Sequence, residues 1–208
     1  MNRFDNIDCM IGMKEYEDKH FDLAIVDPPY GLPKDSTHGR GKLKNRIINR
    51  DSIQAWDVAP DENYFNELFR VSKEQIIWGG NYFKLEPTRC WLIWDKEQPW
   101  ENFSAFEMAW TSFDSPFAIY RQRTVETDPD GKIHPTQKTI KLYKWLLTKY
   151  AKPNDKILDT HVGSASSLIA CEDMGFEYVG FELDKDYYDS AQKRLEQFRS
   201  QFKLELKD

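Results

Sequence analysis

A short apolar run that ends on an acid and two prolines constrains this chain more than any other stretch. Phe21-Asp22-Leu23-Ala24-Ile25-Val26 has the length and the apolar, partly β-branched content of a strand buried in a sheet. Asp27-Pro28-Pro29-Tyr30 follows at once. A proline has no N–H to give to a ladder, and its ring fixes φ, so two in succession end the sheet and stiffen what comes next. One carboxylate, carbonyl oxygens with no helix to feed and one flat ring are left at the strand's C-terminal end. Open α/β sheets bind their ligands along that edge. An N-capping acid at an ordinary strand exit accounts for Asp-Pro alone; the four residues together point to a functional site.

Strand-like and helix-like segments alternate along the rest of the chain. Gln75-Ile76-Ile77-Trp78, Cys90-Trp91-Leu92-Ile93-Trp94, Lys156-Ile157-Leu158-Asp159 and Tyr178-Val179-Gly180-Phe181 read as strands. Asn6-Ile7-Asp8-Cys9-Met10-Ile11 reads as a further short one, and the aromatic-rich stretches Phe106 to Phe113 and Pro116 to Tyr120 as an antiparallel pair. Asp61 is placed to cap a helix with Phe65, Leu68 and Phe69 on its apolar stripe. Ile140, Tyr143, Leu147 and Tyr150 recur at helical spacing, Leu168 to Met174 forms a helix closed by Gly175, and Tyr188, Ala191, Leu195, Phe198 and Phe202 mark the last one. This alternation predicts an α/β fold: a mostly parallel central sheet with helices on both faces. Gly79-Gly80 after the Trp78 strand predicts a tight turn or a close approach of backbone to something else.

Length and charge narrow the partners. At 208 residues the chain is expected to be one domain, 1–208. It has no apolar run of transmembrane length and no apolar leader, and Cys9, Cys90 and Cys171 are odd in number and lack metal-ligand spacing. A cytoplasmic protein with reduced thiols, no metal and no membrane association is the expectation. The net charge of −6 hides an uneven distribution: residues 31–50 carry a local +5, from Lys34, Arg40, Lys42, Lys44, Arg46 and Arg50 against Asp35. The surrounding stretch, 31–60, has no helical or strand period and reads as a basic loop beyond the acid-proline turn, suited to closing over a polyanion.

A second constellation runs from residue 156 to residue 184: strand, small-residue loop Thr160-His161-Val162-Gly163-Ser164-Ala165-Ser166, helix, and a second strand ending in Glu182. This is the βαβ logic of an adenosine-binding unit, in which small residues admit the ligand to the backbone and the acid accepts from the ribose hydroxyls. The loop lacks both the Gly-x-Gly-x-x-Gly pattern and a phosphate-binding lysine, which disfavours dinucleotides and nucleoside triphosphates. An adenosine cofactor without a pyrophosphate, S-adenosyl-L-methionine, fits.

Three motifs in one order now carry a resemblance. Asp27-Pro28-Pro29-Tyr30, then His134-Pro135-Thr136-Gln137-Lys138, then Asp159-Thr160-His161-Val162-Gly163-Ser164-Ala165 resemble the Asp-Pro-Pro-Tyr, His-Pro-Thr-Gln-Lys-Pro and Asp-x-Phe-x-Gly-Ser-Gly motifs of the amino-methyltransferases of DNA, in the permuted β-class arrangement. Order and spacing agree over nearly the whole chain. The resemblance implies a Rossmann-like methyltransferase fold with circularly permuted motif order. Its implied cofactor site is Asp159, Gly163, Ser164 and Glu182, with His134 and Thr136 around the methionine end and Asp8 near the adenine. Three departures stand out. Thr139 replaces a proline; Ala165 replaces a glycine, so that position is expected not to need positive φ; and His161 replaces a phenylalanine that packs near the cofactor.

The resemblance also implies an activity: transfer of a methyl group to the 6-amino group of adenine in double-stranded DNA. The amine is a poor nucleophile because its lone pair is delocalised into the ring. The Asp27 carboxylate and the Pro28 carbonyl oxygen would each accept one amino hydrogen, Pro29 would stiffen the turn, and Tyr30 would stack on a base flipped out of the duplex. Lys34, Arg40, Lys42, Lys44, Arg46 and Arg50 are the expected DNA contacts. Asn81 and Trp94 also lie at strand exits, where they would border the base pocket or fill buried structural positions. Only residues 114–133 are available as a target-recognition segment, which predicts short or relaxed recognition, or recognition shared across a homodimer. The alternatives are methylation of the 4-amino group of cytosine and a catalytically weak DNA-binding homologue.

Overall fold

The structure is a computed structural model that describes residues 2–32, 58–98, 104–123 and 137–205. The basic residues Lys34, Arg40, Lys42, Lys44, Arg46 and Arg50, and His134 and Thr136, lie outside the described residues.

Eight strands form one sheet: β1 (Arg3–Asn6), β2 (Phe21–Val26), β3 (Ser72–Trp78), β4 (Trp91–Asp95), β5 (Phe106–Thr111), β6 (Ala118–Arg121), β7 (Lys156–Asp159) and β8 (Glu177–Glu182). Their order is β1-β8-β7-β2-β3-β5-β4-β6. β5 runs antiparallel to β3 and to β4; every other pairing is parallel. The helices are α1 (Cys9–Gly12), α2 (Glu62–Val71), α3 (Ile140–Tyr150), α4 (Ser166–Met174) and α5 (Lys185–Glu205).

Alternation along the central strands fills two cores. Leu23, Ile25, Ile76, Trp78 and Ile157 point to one face, where Leu142, Leu146 and Leu147 of α3, Leu168 and Ile169 of α4 and Leu195 of α5 cover them. Ala24, Val26, Ile77, Leu158 and Phe181 point to the other, under Met13 and under Tyr64, Phe65, Leu68 and Val71 of α2. A strand buried on both faces has no polar alternation to show, which is why β2 reads as a continuous apolar run.

The chain leaves β2 for β3 on one side of the sheet and leaves β7 for β8 on the other. β2 and β7 are neighbours, with Leu23 opposite Ile157 and Ala24 opposite Leu158. The crevice beyond their C-terminal ends is therefore a topological switch point, the place where such sheets take ligands. Asp27 and Asp159 stand on its two sides.

Three expectations need correction. Asn6 to Ile11 is not one strand: β1 ends at Asn6, and Asp8 Oδ1 accepts from Met10 N at 2.7 Å, capping α1. The acid inside the apolar run is a cap, which a run of that composition hides. The stretches around β5 and β6 do not pair with each other: β5 inserts between β3 and β4, and β6 adds to β4 in parallel as the edge strand. Ala165 does adopt positive φ, at 62°. A left-handed alanine costs about 1–2 kcal/mol; its methyl is fully buried in the core, which offsets about 0.8 kcal/mol of that.

Thr139 explains its own departure from proline. Its Oγ1 accepts from Leu142 N at 3.2 Å, capping α3, and donates to Gln122 Oε1 at 2.6 Å. Replacing Thr139 by alanine removes the cap and one donor to a buried amide oxygen. The expected cost is about 1–2 kcal/mol, read in calorimetry as a fall in Tm of roughly 2–8 °C.

Candidate active site

The turn after β2 is held by charge. Asp27 Oδ1 accepts from the Tyr30 hydroxyl at 2.7 Å, and Oδ2 accepts from Lys138 Nζ at 2.5 Å. Lys138 sits one residue before the cap of α3, and its side chain is 2% exposed. Its ammonium also lies 3.0 Å from Glu107 Oε2 on β5, while Glu107 Oε1 meets Lys96 Nζ at 2.5 Å. The charges alternate along this row, from Asp27 through Lys138 and Glu107 to Lys96. Burial alone would push the Glu107 carboxyl up, but Lys138 and Lys96 outweigh it and hold it down to about 2. Burial likewise disfavours a charged Lys138, and Asp27 with Glu107 more than reverses that, so the ammonium is kept.

An aromatic wall stands beside the carboxylate. The Tyr30 ring stacks on Tyr82 at 5.1 Å and 27°, with Phe83 edge-on at 6.2 Å. Tyr82 is 52% exposed. Gly79 makes this packing possible: its φ is +67°, and a Cβ there would lie 2.2 Å from Tyr30 Cε1. The close approach expected of the glycine pair is thus an approach to the Tyr30 ring. Gly79 N–H also donates to the Met108 carbonyl at 2.8 Å, tying the turn to β5.

Across the switch point, β7 and β8 end on the second group of polar residues. Glu182 Oε2 accepts from Gly163 N at 2.8 Å and Oε1 from Asp184 N at 3.0 Å. Gly163 has φ 54°. Ser164 is buried; its carbonyl and the Ser166 hydroxyl both take Arg194 Nη1 at 2.8 Å, so a buried guanidinium from α5 supports the loop from beneath. Asp8 lies on the adjoining turn, since Ile7 N–H donates to the Glu182 carbonyl at 3.1 Å. Leu183, next to Glu182, and Ile11, whose N–H donates to the Asp8 carbonyl at 2.9 Å, are exposed apolar side chains.

Asp159 is 2% exposed, and accepts from Ser167 Oγ at 2.5 Å and His161 N at 3.0 Å. Burial raises its carboxyl to about 7 against these two hydrogen bonds, helped by the like charges of Asp27 and Glu182. His161 is held in a side-chain chain: Tyr64 hydroxyl to Thr160 Oγ1 at 2.7 Å, then Thr160 Oγ1 to His161 Nδ1 at 2.9 Å, with the Tyr64 ring edge-on at 5.4 Å. Burial lowers its imidazole to about 4, so it is neutral near pH 7.

The structure places Asp27, Pro28, Pro29 and Tyr30 on one side of the crevice, and Asp8, Asp159, His161, Gly163, Ser164 and Glu182 on the other. The contacts of Lys138, Glu107, Lys96 and Tyr82 are not evident from the sequence motifs. The available signal was an acid inside the apolar run Phe106 to Trp110. Of the two strand-exit candidates, Asn81 is exposed in a 3-10 turn, Gly80–Tyr82, next to Tyr82. Trp94 is instead buried, and its Nε1 donates to the Gln122 carbonyl at 3.1 Å, a packing role.

The fold and the crevice define an α/β protein of the ligand-binding switch-point type, with an acidic corner at Glu182 and an aromatic wall at Tyr30 and Tyr82 on opposite sides of one crevice. Comparison with known proteins narrows this. The family described as DNA methylase, of the N6 and N4 amino type, matches residues 81–193, and the chain belongs to it. YubD of Escherichia coli (strain K12), which carries a provisional methylase name, is 26% identical over 220 residues, covering 94% of this chain and 90% of its own. The solved complex of M1.HpyAVI with SAM is 19% identical, with a TM-score of 0.58 over 94% of this chain and 99% of that one. PvuII DNA methyltransferase, cytosine-N4-specific, is 12% identical, with a TM-score of 0.62 over 95% and 89%.

Membership brings the methyl donor of DNA methylases, S-adenosylmethionine. The residues present fit it: the Glu182 carboxylate, held by backbone N–H groups, stands where it would accept from ribose hydroxyls, and Arg194, the guanidinium that reaches the loop from 159 to 167, is turned to the loop's own oxygens.

The two raised and lowered groups give opposite pH signatures. Asp159 binds its proton more tightly folded than unfolded, so its contribution to stability is complete below about pH 4 and lost as the pH rises to about 7. His161 binds its proton less tightly folded, so its contribution is present above about pH 6.5 and lost as the pH falls to about 4. Asp159→Asn keeps an acceptor for His161 N but cannot ionise. Its Tm relative to the unmodified protein is expected to rise from about pH 4 to about pH 7 and to level off above that in thermal scans; a difference independent of pH would contradict the assignment.

Proposed function

We propose that this DNA methylase transfers a methyl group from S-adenosylmethionine to the exocyclic 6-amino group of adenine in double-stranded DNA, acting on a base flipped out of the duplex. The observation that carries the reading is the position of Asp27. Its carboxylate stands at the switch point, fixed at both oxygens, beside an aromatic wall and across from the Glu182 corner.

In this reading Asp27 is an acceptor. One amino hydrogen is taken by its carboxylate and one by the Pro28 carbonyl oxygen, which favours the pyramidal amine and directs its lone pair toward the methyl group. The positive charge that grows on nitrogen is stabilised by the carboxylate, and the proton leaves after transfer. Pro29 keeps the turn from joining a ladder. The Tyr30–Tyr82 stack supplies the wall on which the flipped base lies, and such a contact offsets about 1–3 kcal/mol of the unstacking cost. The bound cofactor supplies an electrophilic methyl on a good leaving group. Glu182 would hold its ribose, Leu183 and Ile11 its adenine ring with Asp8 at the edge, and Asp159, His161, Gly163 and Ser164, with His134 and Thr136, the remainder of the site.

Asp as the first residue of the Asp-Pro-Pro-Tyr motif supports adenine over cytosine, by resemblance. The basic residues Lys34, Arg40, Lys42, Lys44, Arg46 and Arg50 supply the phosphate contacts in this reading. Ala118–Arg121 belongs to the sheet as β6, so little of 114–133 is left as a recognition segment, which supports short recognition or recognition shared by two copies.

The test is incubation with DNA and cofactor labelled in the methyl group, then nucleoside analysis. The expected product is N6-methyladenine, with transfer by Asp27→Ala reduced at least about 100-fold. Label in N4-methylcytosine would select the cytosine reading, and full activity in the variant would sink the role of Asp27.

A further inference from the structure

Three charged side chains, the buried Lys138 and the partly buried Glu107 and Lys96, continue in a row from the Asp27 carboxylate. Lys138 Nζ sits 2.5 Å from Asp27 Oδ2 and 3.0 Å from Glu107 Oε2, and Lys96 Nζ closes the row at 2.5 Å from Glu107 Oε1. The Glu107 side chain is 25% exposed and that of Lys96 15%. An ion pair serving only to join the turn to α3 needs one acid. This one has two, on opposite sides of a single ammonium, and the second is contributed by a different strand.

We infer that Lys138 and Glu107 are positioning residues for the methyl transfer proposed above: Lys138 fixes the orientation of the Asp27 carboxylate, and Glu107, in direct contact with the ammonium, offsets its charge so that it opposes less the positive charge growing on the amine. The inference rests on that reading of Asp27.

The reasoning has two parts. Orientation comes first. An aspartate at a strand end has two soft side-chain torsions, and an acceptor for one amino hydrogen must be held within a few tenths of an ångström. Lys138 on one oxygen and Tyr30 on the other remove both torsions, and each carboxylate oxygen retains a lone pair for the amine. Charge comes second. The amine becomes cationic as the methyl arrives, so an uncompensated ammonium just behind the carboxylate would oppose the reaction in a site of low dielectric. Glu107 reduces that opposition. Burial raises the Glu107 carboxyl, and Lys138 with Lys96, at the outer end of the row, more than reverses that. The backbone joins the same parts: the carbonyl of Met108, next to Glu107, receives the Gly79 N–H under the Tyr30 ring.

The experiment measures the single-turnover methyl-transfer rate to DNA, the cofactor Kd and the KM for DNA in the full chain, its Glu107→Gln and Lys138→Met variants, and the double variant. Glu107→Gln keeps size and loses charge. It should lower the transfer rate about 10- to 100-fold, with Kd and KM within about threefold of the starting protein. Lys138→Met should lower the rate by about 100-fold or more, and the double variant should match it within about threefold, because both act through Asp27. A merely structural pair would shift Tm, Kd and KM together with the rate. Should Lys138→Met not fold, Glu107→Gln alone carries the test. A silent unmodified protein would overturn the methyl-transfer reading and this inference with it. An active one whose rate is unchanged by Glu107→Gln, or losses that multiply in the double variant, would overturn the inference alone.

Discussion

One ammonium group, Lys138 Nζ, joins the parts on which this site depends. It reaches from the residue before the α3 cap to the turn after β2 and to β5. A buried cation of this kind is tolerable only when matched by anions with good geometry, because removing it from water costs several kcal/mol. Asp27 and Glu107 supply the match. Lys138 therefore holds the Asp27 carboxylate in place, which in the proposed reaction is the position from which it would accept from the amine. A requirement of folding and a requirement of chemistry are met by the same contact.

The sheet places this contact where a second ligand can reach it. β2 and β7 are neighbours whose connections depart in opposite directions, so their C-terminal ends open on a shared crevice. On the β7–β8 side the loop is supported from beneath by Arg194 and from the side by Glu182. On the β2–β3 side it is aromatic, with Tyr30 seated against Gly79 and Tyr82. The order of these halves along the chain is immaterial to the geometry: the aromatic half comes first in sequence, yet both halves meet at the switch point. This is how a permuted chain keeps the same site.

Much of this was legible in the sequence because it is written locally. A strand buried on both faces shows as an apolar run, and Asp61 and Gly175 sit at helix ends. Asp27 to Tyr30 could be singled out because two prolines leave so few conformations. What was not legible depends on contacts distant in sequence or on a choice between two local options. Asp8 could extend a strand or cap a helix, and pairing of β1 with β8 decided for the cap. Nothing near Phe106 or Ala118 states that β5 will insert between β3 and β4. Ala165 takes a glycine's conformation because the buried methyl and the helix that follows repay part of its strain, an outcome no residue-type rule contains. Glu107 and Lys138 are 31 positions apart, as their numbers show, on different elements, so only the fold could bring them together.

The most direct measurement is a crystal structure of the protein with an unreactive S-adenosylmethionine analogue and DNA. The account predicts a flipped adenine on the Tyr30 side of the crevice. Its amino nitrogen should lie within about 3 Å of both an Asp27 carboxylate oxygen and the Pro28 carbonyl oxygen, with Lys138 still on the other Asp27 oxygen. A target base stacked in the duplex, or an amino nitrogen held by other groups with Asp27 more than about 5 Å away, would contradict it.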